Sequence, residues 1–136
     1  MSTTPGYSGK SLSAKLGVKE GMRIGASGAP KELTSWLAPL PIGATILTAR
    51  SNNLNIAMLF TTKKATLAGE VKSLLPRLVE GGMLWVCWPK KSSGVATDIT
   101  ESLLRDVILP TGWVDVKVCA VSETWSGLKF LKRRKP

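Results

Sequence analysis

Residues 54–61 read LNIAMLFT, and residues 83–88 read MLWVCW. A strand with one wet face alternates apolar and polar side chains, whereas a strand covered on both faces reads as a nearly unbroken apolar run. Both stretches are of the second kind, which predicts two central strands of a sheet with helices on either side. Between them, Thr61 or Thr62 caps a helix. Its Leu67, Val71, Leu74, Leu75 and Leu78 recur at the helical period. Pro76 kinks that helix or ends it early, because it lacks an N–H and crowds the preceding turn. The following EGG is expected to close it with a left-handed glycine.

Outward from this centre the same alternation continues. After the loop PKKSSGVAT, Asp98 and Glu101 form a capping-box pattern that opens a helix over Asp98–Leu109, with Ile99, Leu103, Val107 and Ile108 as its apolar stripe. VDVKVCAV, the turn SETWSG and LKFLKR then predict a closing antiparallel hairpin. Toward the N-terminus, ATILTA at Ala44–Ala49 is a strand rich in Thr, Ile and Leu, and PLPIGA stops the helix before it. That helix is expected over Pro30–Ala38, with Pro30 at its first position and Ala29 as the cap. A strand at Met22–Ala26 precedes it, and SLSAKLGV offers a short amphipathic helix through Leu12 and Leu16.

The order is strand, helix, strand, strand, helix, strand, helix, hairpin. This is the pattern of an α/β protein, a Rossmann-like mixed sheet of about six strands with helices on both faces and an antiparallel pair at the end. One join resists the scheme. RSNN, residues 50–53, is too short for an ordinary parallel crossover, so the direction of Ala44–Ala49, parallel or antiparallel, stays open. The chain divides into an N-terminal arm (1–20), a single α/β domain (21–131) and a basic tail (132–136).

A length of 136 residues suits one domain that needs no disulfide or metal to fold. Cys87 and Cys119 both lie in apolar runs and read as buried free thiols. The chain contains no histidine. That excludes serine or cysteine triads built on one chain, and two cysteines alone cannot supply an ordinary zinc site. No stretch of about 18 apolar residues is present, and the first residues lack a signal peptide's apolar core, so the cytoplasm is the expected compartment and no membrane partner is expected. The net charge of +10 points to an anionic small molecule or nucleic acid as partner.

GYSGKS, residues 6–11, resembles the end of a phosphate-binding P-loop. It lacks the required glycine, since Thr4 stands at that place, and no strand feeds it. The ligand site is expected instead in the crevice beyond the carboxyl ends of the parallel strands. The loops there supply Ser27, Lys31, Arg50, Lys63, Lys90, Lys91 and Ser92 as candidate anion-binding residues. Helix N-termini in the same crevice would add to their pull.

Two resemblances are carried by longer strings. LGVKEGMRIGASGAP and LPRLVEGGMLWVCWPK resemble class I methyltransferase-like Rossmann folds. That likeness implies the strand order 2-1-4-5-7-6 in the fold's own naming, with the third strand and its helix missing. GYSGKSL, KLGVKEGMR, LWVCWPKKSSGVATDITE and GWVDVKVCAVSETWSGLKF are similar to a small bacterial family known only as a domain of unknown function. The methyltransferase pattern would place an acid before a glycine-rich loop and another acid at the end of the second strand, where it grips ribose hydroxyls. Here GASGAP has only Gly25 and Gly28, and Arg50 follows ILTA. No catalytic residue, metal or cofactor is therefore expected, and S-adenosylmethionine in particular is not. The expected function is non-catalytic binding of an anionic ligand or macromolecular partner at the basic loop face. The alternatives are a divergent S-adenosylmethionine-dependent methyltransferase and a nucleic-acid-associated protein that uses the basic tail.

Overall fold

A computed structural model describes residues 10–134. Gly6–Gly9 of the GYSGKS stretch, Tyr7 included, lie outside the described residues. Its Ser11 caps the first helix, accepting the N–H of Ala14 at 3.1 Å. The elements in chain order are α1 (Leu12–Leu16), β1 (Arg23–Ser27), α2 (Leu33–Leu37), β2 (Thr45–Thr48), β3 (Leu54–Phe60), α3 (Lys64–Leu74), β4 (Leu78–Pro89), α4 (Glu101–Ile108), β5 (Trp113–Ala120) and β6 (Trp125–Lys132).

The six strands form one sheet in the order β2-β1-β3-β4-β6-β5. β2, β1, β3 and β4 are mutually parallel, and β6 runs antiparallel to both β4 and β5. This is the order 2-1-4-5-7-6 with the third strand absent, as the methyltransferase-like resemblance implied. The two apolar runs are neighbouring central strands. In β3 only Asn55 is not fully buried, because helices cover both faces. On one face α1 and α2 close over Ile24, Ile56, Met58 and Trp85; on the other α3 and α4 close over Ala57, Leu59, Leu84 and Val86. Trp85 spans the first layer and donates its indole N–H to the carbonyl of Leu16 at 3.0 Å, which ties α1 to the centre of the sheet.

The direction of the second strand, left open by the short RSNN join, is parallel. β2 pairs parallel with β1 from Arg23↔Thr45 to Ala26↔Thr48. The short link is sufficient because β2 has only four residues. Thr48 is level with Met58 across Ala26. The chain must therefore return about four residues along the strand direction and two strand spacings sideways, roughly 16 Å, and six extended residues reach about 20 Å. The link passes over β1 on the face that carries α3, and Gly25 makes room for it. A Cβ at position 25 would overlap Cδ1 of Leu54, the first residue after the link. Arginine side chains hold the exposed backbone of the link. Arg23 donates to the Asn52 carbonyl at 3.2 Å, and Arg77 donates to the Asn52 side chain at 3.2 Å and to the carbonyl of Arg50.

Three boundaries also differ from expectation. α2 begins at Leu33 rather than Pro30, since no side chain at its start accepts a backbone N–H. α3 stops at Leu74, and Pro76 turns the chain into a tighter helical turn over Leu75–Arg77. EGG is not a helix cap. It belongs to β4, where Val79–Gly82 bulge out opposite the single residue Asn55.

Gly25→Ala is expected to destabilise the domain by about 1–3 kcal/mol through overpacking. Leu54→Ala should recover part of that loss in the double variant, so that urea denaturation finds the two effects less than additive. The thiols separate as well. Burial pushes the Cys87 thiol far up, while Cys119 is half-buried, its thiol raised by burial and pulled down by Lys15 and Lys117. Cys119 is expected to react with an aromatic disulfide reagent in the folded protein, and Cys87 only after unfolding.

Candidate functional site

β1 and β3 are neighbours, but their following helices leave toward opposite faces: α2 joins the Trp85 side and α3 the Leu59 side. In such a sheet the crevice at the carboxyl ends of those two strands is where ligands bind. Its walls are the turn after β1, at Ser27–Gly28, and the turn after β3, at Thr61–Thr62. Gly28 has φ +65°, and a Cβ there would stand 2.7 Å from the carbonyl oxygen of Phe60. Only glycine lets the β1 turn sit this close to the end of β3.

A groove of about 530 Å³ opens beside this crevice, along α3 on the face crossed by the link. Its wall is largely apolar, with Ala49, Gly69 and Leu74, and Ser27, Arg50, Thr66, Glu70 and Ser73 are the polar residues on it. It lies where a sheet with a full set of crossovers would carry another helix; the short link leaves that place open. Ser27 and Arg50 thus come together in one groove. Lys31, Lys63, Lys90, Lys91 and Ser92 lie on the loops at the same edge but do not line it, and all except half-buried Lys90 are exposed. Lys90 is tied through its backbone N–H to the carbonyl of Thr124 at 2.8 Å.

Two of the helix N-termini expected to attract an anion, those of α3 and α4, are already engaged by side chains. Asp98 was expected to cap α4, but it caps α3 instead: its Oδ1 accepts the backbone N–H of Lys64 at 2.6 Å. The α4 cap is Thr100, which accepts the N–H of Leu103 at 3.1 Å. The reason is the path of residues 90–98. Asp98 N–H and the Thr97 hydroxyl both bond the Thr62 carbonyl, at 3.3 and 2.8 Å, and so hold Asp98 over the start of α3.

Glu70 escaped the sequence reading. It lies within the buried stripe of α3, between Leu67 and Val71, and is itself half-buried. A lone carboxylate inside an apolar stripe was the available signal. Its Oε1 accepts the hydroxyls of Thr66 at 2.9 Å and of Thr61 at 3.3 Å. Both described ion pairs belong to Arg105, with Glu101 at 3.0 Å and Asp115 at 2.8 Å, so neither Glu70 nor Arg50 has a charged partner among the described residues.

No family model and no curated protein matches this sequence. Solved structures do match in fold. A possible exported protein of Bordetella parapertussis superposes with a TM-score of 0.64 at 9% identity, over 90% of this chain and 66% of its own. An S-adenosylmethionine-dependent methyltransferase of Aquifex aeolicus gives 0.61 at 11% identity, over 86% and 85%. Magnesium protoporphyrin IX methyltransferase of Synechocystis with bound S-adenosylmethionine gives 0.55 at 11% identity, over 89% and 74%. The chain spans just under two thirds of the length of the Bordetella protein. The fold is Rossmann-like and of the methyltransferase type.

The expectation that S-adenosylmethionine is not a ligand is overturned by these comparisons. It rested on Arg50 at the end of β2 and on the sparse glycines of β1. A structure that shares the fold at 11% identity holds S-adenosylmethionine. At that identity, missing motif letters do not exclude a ligand, because the groups that hold it can be supplied from other elements. No helix among the described residues is long and apolar enough to cross a membrane.

Asp98→Ala is expected to cost about 1 kcal/mol through loss of the α3 cap. In hydrogen exchange the first amides of α3, not those of α4, should lose protection.

Proposed function

We propose that this chain is a divergent S-adenosylmethionine-binding protein of the class I methyltransferase fold, acting as a methyltransferase. One observation carries the reading: a groove of about 530 Å³, of nucleoside size, reaches Ser27 at the carboxyl end of β1, beside the β1–β3 switch point. Ser27 and the backbone of the Gly28 turn are the groups that would hold the cofactor at the end of β1. When bound, it supplies an electrophilic methyl group. The chain's own part is to position and to exclude water, which is the main demand of a direct displacement. Having no histidine, it suits an acceptor that needs no imidazole base. The likeness of four sequence strings to a small bacterial family of unknown function, and a cytoplasmic setting, belong to this reading.

A second reading is non-catalytic binding of an anionic ligand, a macromolecular partner or nucleic acid at the loop face of Lys31, Lys63, Lys90, Lys91 and Ser92. It is favoured by the absence of ion pairs on these lysines among the described residues. On the first reading the same face serves an anionic acceptor.

With S-adenosylhomocysteine at about a hundred times its dissociation constant, thermal unfolding should shift upward by several degrees, since saturation at that ratio stabilises by about 2.7 kcal/mol. No shift at millimolar ligand would sink the first reading. A short RNA whose binding weakens steeply with salt, in the absence of any such shift, would favour the second.

A further inference from the structure

We infer that Glu70 of α3 takes the ribose hydroxyls of the bound nucleoside, a role that the carboxylate missing from the end of β2 cannot fill. The inference rests on the S-adenosylmethionine reading above and assigns the ribose end of that site. It begins with the groove between the β1 and β2 ends and α3, whose volume of about 530 Å³ is of nucleoside size. Glu70 is the carboxylate on its walls. Two threonine hydroxyls fix one oxygen, Oε1, and Thr61 is itself buried at the end of β3. The other oxygen, Oε2, has no hydrogen-bond partner among the described residues, and no described cation neutralises the group.

A carboxylate on the wall of a groove, with one oxygen bonded by two hydroxyls and the other without a described partner, is prepared to accept hydrogen bonds. Charge-assisted bonds of this kind are the strong ones. Two neighbouring hydroxyls, as on a ribose, match the two oxygens of a carboxylate better than a single hydroxyl does. Arg50 shares the groove and makes no ion pair with Glu70. Its planar guanidinium is suited to lie against a base. The ligand is therefore a ribonucleoside derivative rather than a free phosphate, which Glu70 would repel. The open place next to α3 exists because the link from β2 to β3 is short. The same shortening that leaves Arg50 at the end of β2 thus exposes Glu70 on the helix beside it.

The test is calorimetric titration of the full chain with S-adenosylhomocysteine and with its 2′-deoxy analogue. The wild-type chain should prefer the ribose form by roughly tenfold or more, the worth of one hydrogen bond to a charged group. Glu70→Gln, nearly isosteric, should weaken S-adenosylhomocysteine by about tenfold and abolish the preference, with Thr61→Val losing less. Equal wild-type affinity for both ligands overturns the inference without any variant. So does a Glu70→Gln chain that keeps wild-type affinity and preference. In either case S-adenosylmethionine binding itself still stands. A wild-type chain that binds neither ligand removes the reading on which the inference rests and takes the inference with it.

Discussion

The missing side chain of Gly25 sets the geometry of this protein. Leu54 fills the space a Cβ would need, and residues 49–53 cross β1 on that face instead of travelling out through another strand and helix. Because the crossing is short, β2 is short. Because it ends at Leu54, β3 lies next to β1 and the sheet closes without a third strand on the far side of β2, as the resemblance implied. Arg23 and Arg77 bond the crossing backbone, so its polar groups are met without a further element of structure.

What this shortening removes from the core it leaves as open surface. The groove along α3 is bounded by the ends of β1 and β2, and a few polar side chains, Glu70 among them, stand in its largely apolar wall. Glu70 belongs to that surface. In a sheet with a helix in the same place, a half-buried carboxylate in the α3 stripe would face apolar side chains at considerable cost. Here the threonines at 61 and 66 meet one oxygen, and the groove leaves the other free. The loop between β4 and α4 acts in the opposite sense: by laying Asp98 on the first turn of α3, it supplies internally the anion that a free helix N-terminus would attract from solution.

Most of the architecture was legible. The unbroken apolar runs at 54–60 and 83–88 could only be doubly covered strands, and the periodic Leu67, Val71 and Leu74 could only face them. The alternation of types implied the parallel core, and VDVKVCAV with LKFLKR implied the hairpin. The failures have local causes. A capping pattern at Asp98 and Glu101 is satisfied as readily by the next residue, Thr100, once the chain carries Asp98 elsewhere. The left-handed geometry expected of EGG is present at Gly81, φ +79°, but it makes a bulge rather than a helix end. The four-residue RSNN looked too short because the reading assumed a strand of ordinary length at 44–49.

The sequence by itself determined the class of fold, the order of its elements, the absence of histidine chemistry and the excess of positive charge, since these follow from periodicity and composition within short windows. It did not reveal which polar residues meet. Ser27, Arg50 and Glu70 come from three elements up to 43 positions apart, and only the parallel direction of β2 brings them to one groove. That direction depends on a non-local contact, Leu54 over Gly25, which no local pattern encodes. Tertiary structure therefore decided the site, because a site is a meeting of distant side chains, and pairing register is what sets which of them meet.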